Sequence, residues 1–339
     1  MWLIGLLVLL VGAAAGLFIS SRGSGEPIPT PPVDVVDAAP PPPPPPVDTA
    51  PLPAPPPSPA EPEPEPAPAP EPISAEPPPP PASTPPPDPH GRHAYAGLPR
   101  YEAPANEYRV LENKGYAVGY CEVQKDPLWA AYNLIQDAPR QDLGKRPQHF
   151  FVDERTSARV EHRDYTQRDY SRNPNAYDRG HMAPNYAIGA WFGREAQLET
   201  FKLTNVCPQR KGLNQQTWEA LERTITTQWV RDFQRVWVTV GPVFGPRPER
   251  LNGVAAIPDA FYALILREEE GQPRVLALQL EQTVRGASKL RPFVTTVRAV
   301  EAATKLDFYA DLPDELEERL ETSAPDERWD LDTVRVPSY

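Results

Sequence analysis

A tract spanning residues 27–89, in which about half of the positions are proline, rules out a packed core for the opening part of this chain. Proline removes a backbone donor and fixes φ, so the runs PPPPPPP, EPEPEPAPAPEP and PPPPP can form neither helix nor sheet ladder. They read as an extended, semi-rigid spacer at about 3.1 Å per residue, reaching on the order of 100 Å or more. Docking of SH3-like or WW-like modules is a second use for such a tract, and the spacer reading is preferred. Ahead of it, residues 2–19 are almost purely apolar, with no charge before Arg22. That length is near the lower limit for a helix spanning a bilayer. The stretch has no basic leader, which favours an uncleaved anchor, although Ala13-Ala14-Ala15 would suit a signal peptidase. The expected organisation is an N-terminal membrane anchor or signal segment (1–22), a proline-rich disordered linker (23–92) and a folded domain (93–339) with its core over about 105–322. The domain is expected to be exported, periplasmic or extracellular, and held at the membrane; the alternative is secretion after signal cleavage.

The net charge of −12 argues against a polyanion-binding protein until it is divided along the chain. Residues 1–95 carry ten acidic and two basic side chains, whereas residues 140–235 carry sixteen basic and twelve acidic ones. Because salt confines each field to about 10 Å, the local excess matters more than the total, though alone it identifies no activity. The two cysteines, Cys121 and Cys207, lack the spacing of a zinc site and read either as one disulfide or as two buried thiols.

From Tyr101 onward, residues 116–123, 236–240, 261–266 and 275–280 are rich in β-branched and aromatic residues and read as strands. Apolar spacing of three to four predicts helices over 127–135, 215–233, 288–304 and 313–322. The two types do not alternate strictly, so the predicted fold class is α+β, with a central, largely antiparallel sheet flanked by helices.

Three stretches carry chemistry. They are Asp178-Arg179-Gly180-His181 followed by Met182-Ala183-Pro184, then Asn205-Val206-Cys207-Pro208-Gln209, then Asn214 with Trp218, Leu221 and Glu222. On a helix the last four fall on one stripe, so an amide and a carboxylate share a face two turns apart with core residues between them. An N-cap role for Asn214 and a solvated one for Glu222 are the bland alternatives. On an extended strand Arg179 and His181 project to the same side. A guanidinium that binds an oxyanion then sits beside an imidazole that moves a proton, and its charge should hold that imidazole neutral. His90, His93, His149 and His162 have no comparable neighbours and are given no role.

These motifs, in this order and within 45 residues, resemble the DNA/RNA non-specific endonucleases of the ββα-metal class, the group that includes endonuclease G and secreted bacterial nucleases. Weaker similarity extends over roughly residues 105–322. The resemblance implies a Mg²⁺-dependent endonuclease, with Mn²⁺ as a second usable ion, that hydrolyses DNA and RNA without regard to sequence. It implies that His181 deprotonates the attacking water, Asn214 is the direct protein ligand of the metal, and Glu222 holds the metal's waters. It further implies that Arg179 contacts the phosphate and Asn205 helps to position His181. Where the family usually has an arginine, four residues after the helix glutamate, this chain has Thr226. Arg223 is displaced by about 100° around the helix, which leaves Arg146 and Arg155 as candidate phosphate anchors. An inhibitor protein as partner is left open. A non-cleaving nucleic-acid module would need none of His181, Asn214 and Glu222 together. A structural wall-spanning protein leaves all three motifs as coincidence, and a zinc hydrolase lacks its HExxH or paired Cys/His spacing.

Overall fold

The protein is described here by a computed structural model that covers residues 91–287 and 289–332. The expected anchor and nearly all of the proline-rich tract lie outside the described residues. Among the described residues no helix is long and apolar enough to cross a membrane. In chain order the principal elements are β1 (Tyr108–Glu112), β2 (Ala117–Cys121), β3 (Asp126–Ile135), β4 (Tyr177–His181), α1 (Asn185–Glu199) and β5 (Val206–Arg210). A continuous helical run over residues 213–233, the site helix, follows. Then come β6 (Arg235–Val243), β7 (Ala260–Glu269), β8 (Gln272–Glu281), β9 (Val294–Thr295), α2 (Val297–Thr304) and α3 (Asp314–Thr322).

Seven strands form one sheet in the order β9-β8-β7-β6-β3-β2-β1, and every neighbouring pair is antiparallel. The expected α+β class with an antiparallel sheet is therefore observed. One face is covered by α1 and the site helix, whose Ile188, Trp191, Trp218, Leu221 and Trp229 pack on Tyr132, Leu134 and Val238 of the sheet. The other face is covered by α2, α3 and the segment around Tyr95, which pack on Trp129, Trp237 and Tyr262.

This two-sided burial explains the first departure from expectation. Residues 127–135 form strand β3, not a helix, and every residue of β3 except Ile135 is buried. A strand covered on both faces loses its polar alternation and reads as a continuous apolar run. The second departure lies at 288–304, where only Val297–Thr304 is a regular α-helix. Pro292 stands in a single 3₁₀ turn, Val294 and Thr295 pair with β8, and the Thr296 hydroxyl caps α2 by accepting from the Ala299 amide at 3.2 Å. Cys121 and Cys207 are both buried and unbridged.

Behind the site helix, the C-terminal segment closes the core. Trp329 is fully buried and lies edge-on to Trp229, with ring centroids 5.2 Å apart, and its carbonyl accepts from Trp229 Nε1 at 2.9 Å. Arg267 lies 4.7 Å from the Phe233 ring and pairs with Asp326 at 2.6 Å, so this buried cation is both stacked and neutralised. The end of the helix that bears Asn214 and Glu222 is thereby fixed, while its Leu213, Trp218, Leu221 and Ile225 are buried in the core.

Candidate active site

β4 and β5 form an antiparallel pair outside the main sheet, connected through α1, with Gly180 opposite Cys207 and His181 opposite Val206. Together with the site helix they make the two strands and helix expected of a ββα motif. The Gln282 side chain ties this strand pair to the end of β8, donating to Pro208 O and accepting from Arg210 N, both at 2.8 Å. Alternation along β4 buries Asp178 and Gly180 and turns Arg179 and His181 to the same half-exposed side. A Cβ on Gly180 would stand 2.6 Å from Gln209 Cβ, so the close approach of the two strands at this point requires glycine.

The imidazole of His181 packs against Phe150 and Phe201, each with its ring centroid at 5.1 Å, and those two rings stand 5.0 Å from each other, so the three form a triangular cluster. Arg179 lies 5.8 Å from the Phe150 ring and Arg146 5.7 Å from the Phe201 ring, one cation near each phenyl. Burial among these rings, and then the charge of Arg146, push the His181 pKa down to about 3. The expectation that Arg179 would be the responsible cation is corrected. Its charge instead adds to burial, the larger cause, in lowering the pKa of His162, whose carbonyl accepts from Arg179 Nη2 at 3.1 Å. His181 Nε2 and Arg179 Nε are buried and have no hydrogen-bond partner among the described residues.

Asn205 is fully buried and does not reach the imidazole. Its side chain accepts from Ala183 N at 2.8 Å and donates to Ala183 O at 2.9 Å and to Thr200 O at 3.0 Å. Any hold it has on His181 acts through the backbone that follows the histidine.

The site helix is not uniform. Leu213–Trp218 and Ile225–Trp229 are π-helical turns, separated by the α-helical Glu219–Thr224. Such widened turns occur where a helix serves a site. Trp218 and Leu221 enter the core while Asn214 and Glu222 border one cleft of about 460 Å³. Asn214 does not cap the helix, since Gly212 stands at that position. Its Nδ2 donates instead to Asp178 Oδ2 at 2.7 Å, and its Oδ1 accepts no hydrogen bond among the described residues. Gln215 Nε2 donates to the same oxygen at 2.9 Å, and the Tyr170 hydroxyl donates to Asp178 Oδ1. Burial first, and the carboxylate of Glu219 second, push the Glu222 pKa up to about 8, while Arg146 draws it back.

His181, Arg179, Asn214 and Glu222 thus line a single cleft, joined there by Arg146, Phe150 and Asp178. Of the two candidate anchors, Arg155 is committed elsewhere. It pairs with Asp153 at 2.6 Å and bonds to Glu112 O and Asn113 Oδ1. Arg223 pairs with Glu219 at 2.9 Å and does not line this cleft. Sequence reasoning missed Phe150, Phe201 and the orienting carboxylate Asp178. Only Asp178 left a signal, as the first residue of the DRGH motif.

One consequence is measurable by NMR titration of side-chain carbons. Arg146→Ala should raise the pKa of both His181 and Glu222, because its charge disfavours the imidazolium and favours the carboxylate. If neither moves, Arg146 does not sit between them electrostatically.

Residues 95–315 match the family model described as DNA/RNA non-specific endonuclease. Human mitochondrial endonuclease G is 29% identical over 228 residues, covering 63% of this chain and 74% of that protein. Nuclease 1, mitochondrial, of Schizosaccharomyces pombe is 28% identical over 238 residues, covering 64% and 69%. A nuclease of Nostoc sp. is 24% identical over 250 residues, covering 68% and 85%. Among solved structures, the EndoG/EndoGI complex, determined for the mechanism of EndoG inhibition, contains a chain with the same fold. Its TM-score is 0.51 at 22% identity, covering 66% of this chain and 91% of that one. With the family match spanning nearly the whole described domain and the motif residues gathered in one cleft, the chain belongs to the DNA/RNA non-specific endonuclease family and is a metal-dependent hydrolase of nucleic acids.

Proposed function

We propose that this enzyme is a Mg²⁺-dependent endonuclease that cuts DNA and RNA without sequence preference, with His181 as general base and Asn214 as the direct metal ligand. The observation that carries the reading is the bond from Asn214 Nδ2 to Asp178, which leaves the amide oxygen as the free donor at the cleft. The donor set fits a hard cation: one amide oxygen and, beside it, a carboxyl that ionises readily only when positive charge is near. Mn²⁺ accepts the same donors and is expected to substitute. A bound ion would supply charge neutralisation on the phosphate and stabilisation of the leaving oxygen.

The chain's own residues supply the rest. His181 is held neutral and takes a proton from the attacking water at Nδ1, since Nε2 is closed off from solvent. Arg179 lines the cleft with its Nη2 held by His162 O, and its guanidinium is the cation there that suits a phosphate oxygen. Arg146, beside the Phe201 ring, is the second phosphate anchor in place of an arginine at position 226. Glu222 holds metal-bound water, and Asn205 keeps the chain after His181 in register. Every one of these contacts is to phosphate, metal or water, none of which carries sequence information.

The domain is further proposed to be exported and held by residues 1–22 through the proline-rich spacer, with release after cleavage as the alternative. Resistance of the full chain to alkaline extraction from membranes supports the anchor; quantitative recovery in the soluble fraction would contradict it.

His181→Ala should lower turnover by about 10²- to 10⁴-fold, the usual worth of a general base, with substrate binding retained. Asn214→Ala should lose activity that added Mg²⁺ partly restores, with Glu222→Gln milder in the same sense. Plasmid and RNA cleavage across a Mg²⁺ series, with EDTA as control, reads both. Near wild-type turnover in His181→Ala, or an Asn214→Ala defect indifferent to Mg²⁺, would contradict the assignments.

A further inference from the structure

The catalytic cleft does not end at Glu222. Pro184, Tyr186, Glu219 and Glu222 also border a second cavity of about 420 Å³, which lies between the start of α1 and the site helix. Its far wall is made by Ala187, Thr226 and Thr227. Both threonine hydroxyls are turned onto their own helix: Thr226 Oγ1 bonds to Glu222 O at 2.9 Å, and Thr227 Oγ1 to Arg223 O at 2.8 Å. Neither hydroxyl has its hydrogen left to donate to a ligand. Arg223, at the rim, is held by Glu219. Position 226 carries a short residue, so the space beside the catalytic glutamate stays open. Tyr186, at 55% exposure, is the most exposed large hydrophobic side chain among the described residues.

An open slot with an aromatic wall, next to a phosphate-handling centre, matches a flat group attached to that phosphate through a sugar. We infer that this cavity receives the nucleobase adjoining the scissile phosphodiester, stacked on Tyr186, and that the enzyme therefore acts preferentially on unpaired strands. The inference rests on the nuclease reading above and names the substrate class for it. A base in a duplex would have to leave its stack to enter, at a cost of a few kcal/mol that matches or exceeds the return from one ring, so a duplex is cut with the slot empty, whereas an unpaired base enters freely. Stacking on an aromatic ring tolerates any base, so the preference is for strandedness and not for sequence.

The test compares a single-stranded oligonucleotide with the duplex formed on its complement, under Mg²⁺, for the wild-type protein and for Tyr186→Ala and Tyr186→Phe. The wild type should favour the single strand. In Tyr186→Ala the ratio of kcat/KM for single strand over duplex should fall by about 5- to 150-fold, the worth of one stacked base. Tyr186→Phe keeps the ring and should keep the ratio. A second readout needs no turnover. In EDTA, a short single strand carrying 2-aminopurine should lose fluorescence on binding the wild type and Tyr186→Phe, and much less on binding Tyr186→Ala. Equal wild-type rates on both substrates, or a ratio unchanged in Tyr186→Ala, would overturn the inference while leaving the nuclease reading intact. Cleavage of neither substrate by the wild type would instead sink the nuclease reading.

Discussion

One buried carboxylate joins the parts of this site. Asp178 stands on strand β4 one residue before Arg179 and three before His181, and it accepts from Asn214 and Gln215 on the site helix and from Tyr170 in the preceding loop. Three donors satisfy a charge that would otherwise be costly to bury. The bond to Asn214 also fixes which end of the amide faces the cleft, because a carboxylate oxygen can be met only by the N–H end. The strand that carries the proposed base and the helix that carries the proposed metal ligand are thereby held at one relative position. The core behind them, from Trp218 and Leu221 to Trp229 against Trp329, keeps the helix from shifting.

Around this joint the protein drives two titratable groups in opposite directions. His181 falls to about 3 among phenyl rings near Arg146, and Glu222 rises to about 8 in a buried place beside Glu219. In the protein alone the neutral form of each group is therefore favoured. The imidazole is ready to accept a proton, and the carboxyl ionises when positive charge approaches. The two groups also work against each other in the pH dependence of folding. The folded His181 pKa is below its ordinary 6.5, so its contribution is present above that pH and is lost as pH falls toward about 3. The folded Glu222 pKa is above its ordinary 4.5, so its contribution is present below that pH and is lost as pH rises through about 8.

The motifs, the α+β class, four of the strands and the site helix were legible in the sequence because each is local: a fixed spacing, a period, a run of β-branched residues. Strand β3 was misread because burial on both faces erases the alternation that marks a strand. Phe150 and Phe201 could not be found from spacing, since they meet His181 only through the fold, 31 residues before it and 20 after. The same holds for the cations. Arg179 is next but one to His181 in sequence, yet Arg146 supplies the charge that His181 feels. Arg155 looked equally available until its bonds to Asp153 and Asn113 were seen. Tyr186, a single tyrosine two residues after Pro184, carries no signal in the sequence, and its meaning comes from the cavity it borders.

The account turns on Asp178 aiming the Asn214 oxygen, and calorimetric titration of Mg²⁺ into the substrate-free protein tests this directly in Asp178→Asn. That change keeps the shape of the side chain but removes its charge and turns one acceptor into a donor, so the Asn214 amide is no longer held in one orientation. Mg²⁺ affinity should fall about 10- to 100-fold, as for other residues that orient a metal ligand, with the circular dichroism spectrum retained. Wild-type Mg²⁺ affinity in a folded Asp178→Asn protein would contradict the account.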